Sequence, residues 1–211
     1  KDYNYSALSK SSNFYRKDGF SMTEDEILIA QFKAGDQNAF STLMTKYKSL
    51  IFSYVRRKVG DNDDADDITQ EVFVKVYRAL PNWQPRASFQ TWLYTIARNR
   101  CTDYHRARTR RQFQSLDDDE EFTLMPSAND IYSDPEKMAE ESELGRIISE
   151  AIEQLSPKQK EVFILHHYQG LQIKEIAETL GMADGSVKVH HHRAMKKLKK
   201  ILAPLREKGD I

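Results

Sequence analysis

Apolar residues along the 211-residue chain recur every three or four positions in separate runs, the period of helices with one buried face. In TEDEILIAQFKAG, Thr23 stands as an N-cap before three acids, and Gly35 sits where a C-terminal cap belongs. NAFSTLMTKYKSLIFSYVRRKVG sets Phe40, Leu43, Tyr47, Leu50, Ile51, Tyr54 and Val55 on one stripe, and Gly60 ends it. DADDITQEVFVKVYRAL aligns Ile68, Val72, Val76 and Leu80, with Pro81 just beyond. After the loop PNWQPRASFQ, a fourth run places Leu93, Ile96, Ala97, Cys101 and Tyr104 on a stripe that stops there. The rest of that helix is basic. Its first half is therefore expected to pack, and its second half to project into water or onto a polyanion.

The same period returns near the C-terminus. ELGRIISEAIEQL carries Leu144, Ile147, Ile148, Ala151, Ile152 and Leu155 at helical spacing. SPKQ then offers Ser156 as N-cap, Pro157 at the first helical position and Gln159 to close a capping box, for a helix through about Tyr168 that Gly170 breaks. In LQIKEIAETLGMADGSVKVHHHRAMKKLKKIL, Ala177 is small where two helices cross, Gly181 relieves a turn, and Val187 anchors the next helix beside Ile173, Ile176 and Leu180. These offsets form a helix-turn-helix. Its second helix carries Ser186, Lys188, Val189, His190, His192, Arg193, Lys196 and Lys197 as candidates for a DNA backbone and base edges.

Charge sharpens the division. Lys plus Arg and Asp plus Glu both number 32, yet they are not mixed evenly. ARNRCTDYHRARTRR, residues 97–111, holds six arginines against Asp103. Residues 112–145 hold eleven acids and one base, Lys137. With no strand-length alternation, the pattern predicts an all-α protein: two small helical domains joined by an acidic flexible linker, the second with a helix-turn-helix. The expected divisions are a mobile extension at 1–21, a first domain at 22–111, a linker at 112–141 and a second domain at 142–205.

Several chemistries are disfavoured. No apolar run approaches the ~20 residues that cross a bilayer, and the start has no secretory pattern, so no membrane insertion is expected. A single cysteine, Cys101, suits a reducing cytoplasm and offers no Cys-based zinc site. Asp61, Asp63, Asp64, Asp66 and Asp67 form an acidic cluster, but DNDDADD lacks the glycine and distal Glu of a calcium loop. His190, His191 and His192 are consecutive, and neighbours on a helix diverge by about 100°, so the three do not converge on one ion. Neither catalysis, nor a metal, nor a cofactor is expected.

Two segments in order, DADDITQEVFVKVYRAL with FQTWLYTIARNRCTDYHRARTRR and LSPKQKEVFILHHYQGLQIKEIAETLGMADGSVKVHHHRAMKKL, closely resemble the bacterial sigma factors of the extracytoplasmic-function group. The resemblance covers about residues 24–111 and 142–202. It implies a dissociable initiation subunit that binds core RNA polymerase, selects promoter DNA and assists its melting. Asp66, Asp67, Gln70, Glu71, Phe73, Val74 and Tyr77 would then dock on the polymerase clamp helices, and the helix from Pro157 would meet the flap. The −10 element would be read and melted by Trp83, Arg86, Ser88, Phe89, Arg98, Asn99, Arg100, Arg106, Arg110 and Arg111. A held base needs stacking or a pocket and a displaced strand needs positive charge. The acidic linker would thread the RNA exit path. An anti-sigma protein is a further partner that the resemblance allows.

The sequence departs from that family at three positions. Ala183 stands where Ser commonly caps the recognition helix, leaving Asp184 to substitute; His190 stands where Arg is common and His191 where an apolar residue is common. Histidine contacts phosphate more weakly than arginine and in a pH-dependent way, which implies altered −35 affinity or preference. The alternative function is a helix-turn-helix regulator that binds duplex DNA as a dimer without polymerase.

Overall fold

The computed structural model describes residues 22–114 and 143–207, with side chains described for 22–110 and 145–203. The expected extension at 1–21, the acidic segment from 115 to 142 and the side chain of Arg111 lie outside the described residues. Chain contacts divide the molecule into two units, at Ser127 and Ala128. Every regular element among the described residues is helical, as the apolar period predicts.

In the first unit, α1 spans Glu24–Lys33. It opens with a capping box in which Thr23 Oγ1 accepts from the Glu26 N–H at 3.3 Å and Glu26 Oε2 accepts from the Thr23 N–H at 2.9 Å. Helix α2, Gln37–Val59, is capped by Asp36 and stops at Gly60, whose φ of 86° is left-handed backbone that glycine adopts without strain. Helix α3, Asn62–Ala79, is capped by Asp61, so one member of the acidic cluster spends its carboxylate on the Asp64 N–H at 2.9 Å. A 3-10 turn at Leu80–Asn82 holds Pro81 and leads to α4, Phe89–Gln114.

The stripes meet as the pattern requires. Leu43, Ile51, Tyr54, Val55, Val72, Val76, Leu93, Tyr94 and Ala97 are all at most 1 % exposed. Each large apolar side chain so buried contributes roughly 1.5–3 kcal/mol. Tyr54 meets Tyr94 edge-on with ring centroids 5.3 Å apart. Leu50 departs from its expected place: it is 37 % exposed, because it falls at the edge of a stripe wider than the surface covering α2.

The second unit is built from α5 (Glu143–Glu153), α6 (Pro157–Phe163), α7 (Ile173–Leu180) and α8 (Asp184–Glu207). Ala151, Ile152 and Leu155 at the end of α5 pack on Ala194 and Leu198 of α8, with Ile148, Phe163, Ile201 and Leu202 around them. The expected Ser156–Gln159 capping box opens α6. After Phe163 the helix widens into a π turn, Ile164–Tyr168, in which the Gln169 N–H reaches the Ile164 carbonyl at 3.2 Å. Gly181, at φ 64°, makes the left-handed turn between α7 and α8. Ile176, Ala177 and Leu180 of α7 are buried, as is Val187 of α8. This is the helix-turn-helix that the spacing predicts. Asp184 does not stand before α8 as its cap. The Ala183 carbonyl accepts from the Ser186 and Val187 N–H groups, and Asp184 is the first helical residue, where its charge faces the positive end of the helix.

Candidate polymerase and nucleic-acid interfaces

The outward face of α3 is mixed acidic and apolar. Asp67, Gln70, Glu71, Val74, Lys75, Arg78 and Ala79 line a shallow groove with Arg100 of α4. Val74 is 49 % exposed, large for an aliphatic side chain with no cover. Asp66 accepts from Gln70 Nε2 at 2.7 Å. One residue expected on this face is placed differently. Phe73 is buried at 5 % exposure, because it lies on the core side of the stripe. Tyr77 is 42 % exposed, with its ring resting on Phe32 and Phe40 and its hydroxyl 3.0 Å from Gln37 Oε1. The docking candidates narrow to Asp67, Gln70, Glu71, Val74 and Tyr77, with Asp66 beside them.

The same groove claims an arginine assigned to DNA. Arg100 pairs with Glu71 across α3 and α4 and lies 3.9 Å from Asp103 on its own helix. Its guanidinium therefore serves the helix junction. Arg106, Arg108 and Arg110 are exposed farther along α4, with Asn99 exposed and Arg98 half-buried before them. His105 Nε2 lies 2.9 Å from the Lys58 carbonyl, which seats α4 against the C-terminal end of α2. That end carries Arg56, Arg57 and Lys58, basic residues that reading the runs one by one missed. The only signal was the tripeptide RRK closing an otherwise amphipathic helix.

The aromatic residues expected to hold an extruded base are core. Trp83 is 9 % and Phe89 4 % exposed. Trp83, Phe89 and Trp92 meet at centroid distances of 5.8–6.2 Å, and Tyr47 adds a ring 5.5 Å from Phe89. Lys33 Nζ donates to the Trp83 carbonyl at 2.6 Å and fastens α1 to this cluster. A base cannot stack on ring faces already covered. Burying Tyr47, Trp83 and Phe89, with Trp92 half-buried beside them, outweighs presenting them, at roughly 1.5–3 kcal/mol for each buried side chain. Ser88 caps α4, accepting from the Thr91 N–H at 3.2 Å, while Arg86 is exposed in the loop before it.

On the second unit, Ser186, Lys188, Val189, His192, Arg193 and Lys196 are exposed on α8. Lys197, expected on the same DNA face, instead donates to the Gln154 carbonyl and neutralises the C-terminal end of α5. His190 is half-buried, and its Nδ1 has no hydrogen-bond partner among the described residues. His191 turns inward to His166 and His167 on the π turn.

Comparison with known proteins fits both units. The model of Sigma-70 region 2 matches residues 43–111, and that of Sigma-70 region 4 matches residues 145–198. The RNA polymerase sigma-H factor of Pseudomonas aeruginosa is 34% identical over 185 residues, 86% of this chain and 95% of that protein. The ECF RNA polymerase sigma-E factor of Escherichia coli is 33% identical over 183 residues, again 86% of this chain and 95% of that protein. The chain belongs to the extracytoplasmic-function group of the sigma-70 family. As an alternative sigma factor it directs RNA polymerase to promoters. Among solved structures, this sigma factor is similar to CnrH, solved in complex with the cytosolic domain of CnrY, at 25% identity and a TM-score of 0.62 over 86% of this chain and 99% of that one. It also shares its fold with RpoE of Bartonella quintana, solved with the anti-sigma factor NepR, at 22% identity and a TM-score of 0.59 over 78% of this chain and 96% of that one. Among the described residues, no helix is long and apolar enough to cross a membrane.

Proposed function

We propose that the two units divide promoter recognition by chemistry. The α3 face of Asp67, Gln70, Glu71 and Val74 docks on the polymerase clamp helices, where a mixed acidic and apolar patch suits a helix carrying Arg and Leu. Arg98, Asn99, Arg106 and Arg110 on α4, with Arg86 in the preceding loop and the basic end of α2, hold the opened −10 strand by its backbone. The exposed face of α8, from Ser186 to Lys196, reads the −35 element in the major groove. The factor supplies binding energy and positioning and performs no bond chemistry. The acidic segment between the units occupies the basic RNA path as a polyanion. An anti-sigma protein of the kind solved with RpoE is the partner that would cover these faces.

The observation carrying this reading is the shared junction of α3 and α4. Their outward faces have different character, acidic and apolar on one and arginine-rich on the other, and Glu71 and Arg100 pair between them. A duplex-binding regulator needs neither face. The division is tested in reconstituted transcription. Asp67→Arg should lose polymerase capture, whereas Arg106→Ala with Arg110→Ala should keep capture and lose promoter opening, read as permanganate reactivity of −10 thymines. Loss of both functions in both variants would refute the division. Polymerase-independent binding of a palindromic duplex by a dimer would favour the regulator.

A further inference from the structure

Three histidines from two elements meet on the second unit. One ring nitrogen from each of His166, His167 and His191 lies within 4.8 Å of the others. His167 Nε2 and His191 Nε2 are 3.0 Å apart, with the rings stacked at 17° and centroids 5.2 Å apart. His166 stands edge-on to both, at 4.9 Å from His167 and 4.8 Å from His191. Adjacent side chains on an α-helix diverge by about 100°. His166 and His167 instead sit on the π turn, which winds less per residue and lets the pair face α8.

We propose that His166, His167 and His191 form a binding site for a divalent transition-metal ion of the zinc class. Imidazole nitrogens suit such ions, and a tetrahedral centre with Zn–N of about 2.0–2.1 Å sets its ligand atoms about 3.3–3.4 Å apart. The His167–His191 pair is within a few tenths of an ångström of that spacing. The wider separation closes by ring rotation at His167, which is exposed, and at the half-buried His166 and His191. The His166 tautomer is already fixed. Its Nδ1 donates to the Leu171 carbonyl at 2.9 Å, which leaves the Nε2 lone pair free for a ligand bond and supplies the outer partner that metal-binding histidines use.

The three consecutive histidines on α8 diverge, as expected; the converging set takes one of them and two from another helix. A bound ion would fasten α8 to the π turn and add positive charge one helical turn from Lys188. That consequence for promoter binding rests on α8 being the −35 reader, whereas the site itself does not.

The test is titration of the untagged full chain with Zn²⁺ against a chromophoric chelator. One ion per chain is expected, with affinity falling at least ~10-fold in His167→Asn and in His191→Asn, the scale on which metal sites lose affinity when their ligation is disturbed. His105→Asn, on the first unit, should leave it unchanged. Co²⁺ should give the intense visible bands of a four-coordinate nitrogen site in the wild type and not in His191→Asn. Circular dichroism checks that each variant is folded, and His167 is exposed enough that its replacement spares the core. Equal Zn²⁺ affinity in the wild type and in a variant carrying both His167→Asn and His191→Asn, or no binding at micromolar Zn²⁺, would overturn the proposal. Polymerase capture is read separately, so a chain that binds zinc but ignores polymerase removes the sigma assignment and leaves the site standing.

Discussion

Tyr104 on α4 donates a hydrogen bond to the carboxylate of Asp64 on α3, with the two oxygens 2.5 Å apart. The contact joins the start of α3 to the middle of the arginine-rich α4, forty residues away in sequence. Burial and then the Asp64 carboxylate push the Tyr104 hydroxyl above its ordinary range, so it stays a donor. Tyr104→Phe is expected to cost about 1–2 kcal/mol, since hydrogen bonds to charged groups are worth roughly 1.5–3 kcal/mol and this one is partly exposed. Urea denaturation with an unchanged m-value checks it.

Trp83 and Phe89 are expected to behave as core. Phe89→Ala should destabilise the first unit by about 3–5 kcal/mol, the range for losing a buried aromatic ring. A stability-compensated Phe89→Leu should retain −10 strand affinity, measured by fluorescence anisotropy on a forked duplex with the polymerase complex.

On α8, two lysines one residue apart should differ. Lys196→Ala is expected to reduce the slope of log affinity against log salt for −35 duplex by about one, the effect of losing a single phosphate contact. Lys197→Ala should leave the slope unchanged and lower the thermal midpoint, because its ammonium serves the Gln154 carbonyl.

The histidine cluster gives the second unit an acid limit. His167 and His191 titrate below their ordinary value near 6.5 in the folded chain, first through burial and then through neighbouring imidazoles. The unfolded chain therefore takes up protons first as pH falls. The stability from this source is intact above about pH 6.5 and is lost as pH drops through the lower folded values. With a chelator present, the urea midpoint of the C-terminal transition should fall between pH 7 and pH 5. It should fall less in a variant carrying His167→Asn and His191→Asn.

Helices and their ends were legible because their causes are local. Thr23, Gly60, Ser156 and Gly181 act on backbone within a few residues, and the Ala177, Gly181 and Val187 spacing fixes the helix-turn-helix. Which side of a broad stripe faces inward is not local. Phe73 and Leu50 both lie near a stripe's edge, and only the packing of neighbouring helices decides that the first is covered and the second is not. That Trp83 and Phe89 are buried was not legible for a related reason. An aromatic in a loop carries the same letters whether it meets a base or three other rings. Glu71, Gln154 and His167, which meet Arg100, Lys197 and His191, lie 24 to 43 residues away, beyond the reach of periodicity. The π turn that aims His166 and His167 at α8 has no sequence signal that spacing can detect.

The central claim is that this chain is a polymerase subunit that docks through the α3 face. Its most direct test is co-purification with bacterial core RNA polymerase, comparing the wild type with a variant carrying Asp67→Arg and Val74→Ala, both at exposed positions. Equimolar capture of the wild type, with loss of at least ~100-fold in affinity for the folded variant, is the expected result; two hot-spot changes of about 1.4 kcal/mol or more each give that factor. Capture of both chains alike would contradict the docking face, and failure of the wild type to bind polymerase would contradict the function.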